Sequence, residues 1–171
     1  MVLLRDAQFQ DAAMLCEAER EVADLHDGLL VSEPDELVES NFHDRIAALA
    51  NGSGKYLIAE LDGQPVGHAS LWPMGLKKVS HVLRLDMCVH LGHWRRGYGE
   101  MLLRALLDWA LHESAARKIE LLVRSENAGA VNLYRKLGFV EEGRMKDRVR
   151  LRTGRYIDDI SMALMLPRGD A

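Results

Sequence analysis

Cysteine is scarce in this chain, with only Cys16 and Cys88 among 171 residues. Two cysteines so far apart exclude the dense disulfide framework of small secreted domains and the paired thiolates of a structural zinc site. Seven histidines are present, but only His90 and His93 lie close together, without the ligand spacing of a metal site. We therefore expect reduced thiols, a cytoplasmic location and no bound metal.

Long apolar runs are also missing, although 48% of the residues are hydrophobic. No run approaches the roughly 20 residues that cross a bilayer, and the start MVLLRDAQ reaches a charge after four residues. These features predict neither a membrane span nor a signal peptide. There is no internal repeat or linker, so we expect one domain over residues 1–166 and a C-terminal tail at 167–171.

The charge is unevenly distributed along the chain. Residues 1–50 contain twelve acidic and three basic residues, whereas residues 51–171 contain 14 acidic and 19 basic ones. The basic portion suits a strongly anionic ligand and the acidic portion suits an amine, while the alternative that these charges only keep the surface soluble stays open. No basic patch of the nucleic-acid-binding type is evident, and we expect no nucleic-acid partner.

The most informative segment runs from strand to glycine loop to helix. Residues 83–89 alternate apolar and other side chains as a strand does, and the leucines of residues 102–107 recur at helical spacing. Gly97 and Gly99 lie at the turn between them, where the first N–H groups of the helix have no helical partner. Such a turn is a site for a phosphate or pyrophosphate.

Two common nucleotide loops are excluded by the residues that follow. A Walker loop requires Lys and Ser or Thr after its second glycine, and here Glu100 and Met101 follow Gly99. A dinucleotide-binding loop requires a third glycine where Leu102 stands. Neither of these two nucleotide-binding loops is therefore present.

A second segment, residues 119–143, repeats the order of strand, turn and helix. Residues 119–123 form an apolar run of the buried-strand type, Asn127 is a good helix N-cap, and Gly138 suits the position after the helix. Asn127, Ala130 and Tyr134 are spaced three and four apart, so they share one helical face.

The two segments together resemble the GNAT superfamily of acyl-CoA N-acyltransferases. The family's loop pattern, Gln/Arg-x-x-Gly-x-Gly/Ala, is matched by residues 94–99, with Trp94 in place of the first polar residue. Its second pattern is matched by Asn127, Ala130, Tyr134, Lys136, Gly138 and Phe139. The chain is most similar to bacterial single-domain members that acetylate amino acids or other small amines.

The resemblance implies an α/β (α+β) GNAT fold. Its central mixed sheet has about seven strands and four helices, in the order β-α-α-β-β-β-α-β-α-β-β, with splayed parallel strands at the centre. Sequence patterns place the first two helices near residues 11–23 and 35–50 and predict hairpins that turn near Gly63 and Gly154.

The resemblance also implies a site for acetyl-CoA as co-substrate, and no metal. The N–H of Met87 would polarise the thioester carbonyl, Cys88 and Val89 would pair with the pantetheine amides, and Tyr134 would protonate the departing thiolate. Asn127 and Ala130 would contact the pantetheine arm. The pyrophosphate would be held by the loop residues Arg95, Arg96, Gly97, Tyr98, Gly99 and Glu100.

The general base and the acceptor stay open. Base candidates are a water chain or one of four residues, namely His81, Asp86, Asp158 and Asp159, since Leu83 stands where some family members have a glutamate. The predicted acceptor is the primary amine of a small molecule such as an amino acid or polyamine. The alternatives are a protein N-terminus or lysine, or a non-catalytic acyl-CoA sensor. A homodimer is common in the family, and the sequence carries no direct evidence on it.

Overall fold

A single mixed sheet organises the computed structural model, which describes residues 1–168. Its strand order is β1-β2-β3-β4-β5-β7-β6, and only β4 and β5 are parallel. The strands are β1 Val2–Asp6, β2 Lys55–Leu61, β3 Gln64–Pro73, β4 Val82–Val89, β5 Lys118–Arg124, β6 Val140–Arg150 and β7 Tyr156–Met165. The α-helices are α1 Ala12–Leu25, α2 Glu39–Leu49, α3 Tyr98–Glu113 and α4 Ala128–Lys136. The predicted fold, element order and parallel pair are confirmed.

The second helix begins later than predicted. Residues 35–50 were expected to be helical, but Pro34–Glu36 forms a separate 3₁₀ turn and α2 begins at Glu39. Between them Val38 is extended, with φ −119° and ψ 138°. The boundary prediction was wrong because the 3₁₀ turn has its own capping interaction, in which the Glu36 carboxylate accepts from the Glu33 N–H at 2.8 Å.

The two faces of the sheet are covered by different helices. On one face the fully buried leucines of α3 pack on β2, β3 and β4. On the other, α1 and α2 pack Leu15, Phe42 and Ile46 against Tyr56 and Ile58 of β2. The register places His68 of β3 and Cys88 of β4 on this second face, because each is paired in line with Ile58.

The parallel pair separates after three residue pairs. β4 and β5 are paired from Val82↔Lys118 to Arg84↔Glu120, yet both strands continue, to Val89 and Arg124. Beyond Arg84 the two strands diverge without a ladder between them. A cleft therefore opens at their carboxyl ends, where ligands bind in open α/β sheets.

The last described residue is anchored rather than loose. The guanidinium of Arg168 donates to main-chain carbonyls at the end of α3, among them Ala110 O and Ser114 O, both at 2.7 Å. Arg168, within the predicted tail at 167–171, is held by these bonds, and residues 169–171 lie outside the described residues. Within residues 1–168 no helix has both the length and the apolar character needed to cross a membrane.

Candidate active site

One large cavity occupies the cleft between β4 and β5. Its volume is about 1030 Å³. The loop before α3 and the start of that helix line one end, together with the inner side of α4. The other end is lined by α1, α2 and the loop between them. A single space thus connects the predicted anion-binding turn with a wall that is built from the acidic N-terminal portion.

The loop before α3 presents free N–H groups to this cavity. Gly97 is the N-cap of α3, with φ 85°, and the first N–H bonded into the helix is that of Met101, which donates to Gly97 O at 3.0 Å. The N–H groups of Tyr98, Gly99 and Glu100 precede that bond. With the positive end of the helix dipole behind them, these N–H groups are suited to an anion.

Trp94, which replaces the first polar residue of the family's loop pattern, holds the loop in place. The indole Nε1 donates to Val89 O at 2.7 Å, which joins the loop to the end of β4. The ring also meets His26 edge-on, with centroids 4.5 Å apart. Arg95 follows with φ 60°, a left-handed conformation that is unusual for a residue other than glycine. Trp94 therefore acts as an anchor of the loop.

The strand β4 turns selected backbone groups toward the cleft. His90 N–H donates to Val66 O of β3 at 3.0 Å, and bonding alternates along an antiparallel pair. The N–H and C=O of Cys88 therefore face β3, whereas those of Met87 and Val89 face the side where β5 has diverged. Cys88 lines the cavity with its side chain, and burial raises the pKa of its thiol.

Helix α4 supplies an amide and a phenol. Asn127 caps the helix, its Oδ1 accepting from Ala130 N–H at 3.2 Å, which leaves its amide nitrogen for another acceptor. Tyr134 is 7% exposed and packs its ring 5.7 Å from that of Phe139. Burial, and next the charge of Asp86, raise the pKa of Tyr134 above its usual value. The phenol is therefore protonated at neutral pH.

Not every predicted site residue faces the cavity. Arg96 is exposed and Tyr98 is buried in the core, so neither lines the cavity with its side chain. The predicted residues that do line it are Met87, Cys88, Val89, Arg95, Gly97, Gly99, Glu100, Asn127, Ala130 and Tyr134.

The four candidate bases are placed very differently. Asp86 lines the cavity. His81 is exposed and lies just before β4, at the end where β4 is paired with β5. Asp158 accepts from Arg144 and from the Asp147 N–H, which hold the pKa of its carboxyl below the usual range. Asp159 is 1% exposed, with Oδ1 at 2.7 Å from Arg124 Nε, although that N–H does not point at the oxygen. Only Asp86 of the four lines the cavity.

The sequence of this chain matches a family model. Residues 19–139 match the model described as the acetyltransferase (GNAT) family. The chain belongs to the GNAT family. It is accordingly an acetyl-CoA-dependent N-acetyltransferase by class.

Relatives of this GNAT chain include enzymes with small acceptors. It is 35% identical to the L-amino acid N-acetyltransferase AaaT of Escherichia coli K12, over 64% of this chain and 67% of that protein. It is 26% identical to a spermidine N(1)-acetyltransferase of Vibrio cholerae, over 74% and 68% of the two chains. A solved GNAT acetyltransferase of Streptococcus pneumoniae has TM-score 0.87 and 26% identity, covering 97% of this chain and 100% of that one.

The GNAT chain also has cavity residues that the sequence patterns missed. Glu19 of α1 and Arg45 of α2 line the far wall. Glu19 follows Leu15 and Cys16 by four and three residues, so it lies on the apolar face of α1, and a carboxylate on such a face was the available signal. Arg45 has no comparable signal in the sequence.

The loop of residues 26–33 forms part of this wall and is held from a distant segment. Arg152, in the turn between β6 and β7, donates to Glu33 Oε2 at 2.7 Å and to Ala23 O at 2.8 Å. Its own N–H donates to Asp27 Oδ2 at 2.7 Å. This wall of the cavity is therefore fixed to the final hairpin.

Proposed function

We propose that this protein transfers the acetyl group of acetyl-CoA to the primary amine of a small amino-acid-type acceptor, by direct attack in a ternary complex. The observation that carries the proposal is the single cavity, which joins the anion-binding turn of α3 to the wall formed by α1 and α2. Both substrates have room to lie in one space, with the thioester between them. The buried, unpaired thiols of Cys16 and Cys88 suit a cytoplasmic location.

The cofactor end of the cavity has the groups that coenzyme A requires. The N–H groups of residues 98–100 would bind the pyrophosphate, with Arg95 beside them. The C=O of Met87 and the N–H of Val89 would pair with the pantetheine amides as an added strand does. Asn127 and Ala130 would contact the same arm, because they begin the helix on the opposite side of the cleft.

The chemistry follows from two of these groups. A neutral amine attacks the thioester carbon, and the Met87 N–H stabilises the negative charge that develops on the carbonyl oxygen. When the carbon–sulfur bond breaks, the Tyr134 hydroxyl gives its proton to the thiolate. The phenol regains a proton from the nitrogen that has become an amide. Counted from the neutral amine, the net products are an N-acetyl amine and free coenzyme A.

An amino-acid acceptor is favoured by Arg45. Its guanidinium lies over the Trp72 ring, 5.9 Å from the centroid. The distance from the guanidinium to Asp86 Oδ2 is 3.3 Å, which is long for an ion pair, so the guanidinium can bind another carboxylate. An acceptor carboxylate would bind the guanidinium, while the acceptor ammonium would lie near the Glu19 and Asp86 carboxylates. The similarity to an L-amino acid N-acetyltransferase supports this choice.

A polyamine is the second candidate, because several carboxylates line the same wall. Asp27 and Glu36 line the cavity in addition to Glu19 and Asp86, and four acidic groups suit an extended cation. The similarity to a spermidine acetyltransferase supports this alternative.

The test is thiol release from acetyl-CoA with amino acids, amino-acid amides, polyamines and short peptides. With amino acids, Arg45→Gln should raise KM about tenfold or more, whereas amides and polyamines should be affected little, because they lack the carboxylate. Turnover of polyamines alone would select the second candidate, and turnover of peptides alone would point to a protein N-terminus or lysine. Binding of acetyl-CoA without turnover of any amine would indicate a sensor.

A further inference from the structure

A chain of three hydrogen bonds runs from the cavity wall into the core beneath α1. Glu19 Oε1 lies 2.9 Å from His68 Nε2, and His68 Nδ1 lies 2.9 Å from His90 Nε2. His90 Nδ1 lies 3.2 Å from Pro65 O. The two imidazoles are 3% and 7% exposed, while Glu19 lines the cavity. The chain therefore joins a buried histidine pair to a carboxylate that a substrate can reach.

The number of protons in this chain follows from its geometry. Pro65 O only accepts, so His90 Nδ1 must carry a hydrogen, and His90 Nε2 is then the acceptor from His68 Nδ1. The third gap, between His68 Nε2 and Glu19, also needs a hydrogen. Three gaps need three protons, whereas two neutral imidazoles carry two. The filled chain thus holds one extra proton, shared between His68 and Glu19, and its net charge is zero.

Burial and the neighbouring His68 lower the pKa of His90 to about 4, with burial the larger cause. His90 therefore stays neutral at physiological pH. The extra proton belongs to the His68 and Glu19 end of the chain, nearest the cavity. When this proton is lost, Glu19 is a carboxylate and its contact with His68 Nε2 lacks a hydrogen. That form can accept a proton again.

Several charged and titratable groups surround this chain of hydrogen bonds. Glu19 lies close enough to Cys16, Tyr56 and Cys88 to act on their thiol and phenol groups, His93 acts on His90, and Arg45 and Asp86 act on Tyr56. Arg20, Glu17 and Glu39 also act on Cys16. Burial raises the pKa of Cys16, Tyr56 and Cys88, which keeps them neutral. The buried hydroxyls of Tyr56 and Ser70 have no hydrogen-bond partner within residues 1–168. This face of the sheet therefore contains polar groups in addition to those of the hydrogen-bonded chain.

Asp86 is the other carboxylate on this face, but it is already engaged. Its Oδ2 accepts from Trp72 Nε1 at 3.0 Å and lies 3.3 Å from Arg45. Trp72 and Arg45 therefore both lie against the same Asp86 oxygen. Glu19 instead has a histidine behind it that passes a proton on.

We propose that Glu19 is the general base for the acceptor amine, and that the buried His68–His90 pair positions its carboxylate and shares the proton that it takes. The proposal rests on the proposed function. Glu19 removes one proton from the ammonium, the nitrogen lone pair then forms the bond to the thioester carbon, and the carbon–sulfur bond breaks. The proton on the chain leaves to solvent before the next turnover. His68 and His90 act through Glu19 and are positioning residues.

Glu19→Gln tests the proposal, with Glu21→Gln as its matched control. Both residues lie on α1 and both changes remove one negative charge, but Glu21 is exposed and outside the cavity. Glu19→Gln should lower kcat about 10²-fold or more at pH 7, leave the affinity for acetyl-CoA unchanged, and be partly rescued by Glu19→Asp. The defect should shrink as the assay pH rises through the pKa of the acceptor amine, because a neutral amine needs no base. Equal activity of the Glu19→Gln and Glu21→Gln proteins would overturn the proposal.

The histidine pair has a test that needs no turnover. Nitrogen-15 NMR of the imidazoles in the free protein should show His90 neutral with its hydrogen on Nδ1, and Glu19→Gln should change the imidazole nitrogen shifts of His68. His68→Asn should move the acid limb of the pH–kcat profile, and His90→Asn provides a second variant should the first fail to fold. Identical His68 nitrogen shifts in the parent and in the Glu19→Gln protein would contradict the proton sharing. Absence of turnover in the parent would contradict the proposed function and leave this NMR result standing.

Discussion

Lys136 Nζ donates to Glu100 Oε2 at 2.7 Å, and this bond ties the last turn of α4 to the first turn of α3. Arg104 donates to the other oxygen of the same carboxylate at 2.7 Å. The two cations hold the pKa of Glu100 below its ordinary value, Lys136 being the larger cause. A carboxylate at an anion-binding helix end is thus offset by two positive charges.

Glu100→Gln should strengthen acetyl-CoA binding. The change removes a negative charge beside the predicted pyrophosphate site and releases Lys136 and Arg104, so Kd should fall by about two- to fivefold at low ionic strength and by less in salt. Titration calorimetry at two salt concentrations measures it. Glu113→Gln changes the same charge at the exposed far end of α3 and serves as the control. Weaker binding by the Glu100→Gln protein would contradict the placement of the pyrophosphate.

Tyr134→Phe should separate catalysis from binding. No group within residues 1–168 hydrogen-bonds the Tyr134 hydroxyl, so its removal should change the free energy of unfolding by less than ~1 kcal/mol while kcat falls about 10²-fold. Because burial raises the pKa of Tyr134, the phenol stays an acid through pH 9 and should cause no alkaline loss of rate. Tyr156→Phe, at a position that is 52% exposed, is the control. An unchanged kcat would remove Tyr134 from the mechanism.

Gly97→Ala should weaken acetyl-CoA binding through the backbone. Gly97 has φ 85°, and no atom lies within 4 Å of the point where a Cβ would stand, so alanine costs conformational strain of about 1 kcal/mol and no clash. Gly52 has φ 80° and the same open surroundings, but lies after α2 and outside the cavity. Thermal unfolding should show equal losses of stability for Gly97→Ala and Gly52→Ala. Only the former should bind acetyl-CoA more weakly, and equal binding would count against the loop.

Asp11 should make the stability of the fold depend on pH in the acid range. It accepts from Arg5 at 2.7 and 2.9 Å and from the Gln8 N–H at 2.7 Å, and Arg5 is the largest cause of its lowered pKa. A lowered pKa gives stability that is present above the unfolded value near ~3.9 and is lost as pH falls through the folded value.

Asp11→Asn should therefore lower the free energy of unfolding by about 1–3 kcal/mol at pH 7, and the difference from the parent should narrow below pH 4. Urea denaturation at pH 7 and at pH 3 measures both values. The exposed Asp44→Asn provides a control with the same change of side chain. A difference that grows toward low pH would show that the sign is wrong.

The cofactor half of the site could be predicted from sequence because its residues are consecutive. The glycine turn, the α3 start and the Asn127 cap are local features, each set by a few neighbouring residues. The element order was implied by the family resemblance that these segments carry. The start of α2 was predicted too early, because the capped turn at Pro34–Glu36 interrupts a helical pattern.

The acceptor half could not be predicted in this way. Glu19, Arg45, His68 and His90 come from four different elements, and they meet only because the sheet register places β3 and β4 beneath α1. Sequence spacing carries no signal for hydrogen bonds that join residues 49 positions apart. The role of Trp94 was missed for a related reason, since its partner is the carbonyl of Val89 rather than any side chain.

The early separation of β4 from β5 has a consequence for the evolution of such an enzyme. The N–H and C=O of Met87 and the N–H of Val89, which face the diverged side of β4, belong to the main chain, so no side-chain replacement there can delete them. The opposite wall is made of side chains such as Glu19 and Arg45, and each can be exchanged by a single codon. Under the proposed placement of the two substrates, recognition of the acyl donor is insulated from mutation, while acceptor preference is free to drift and to be selected.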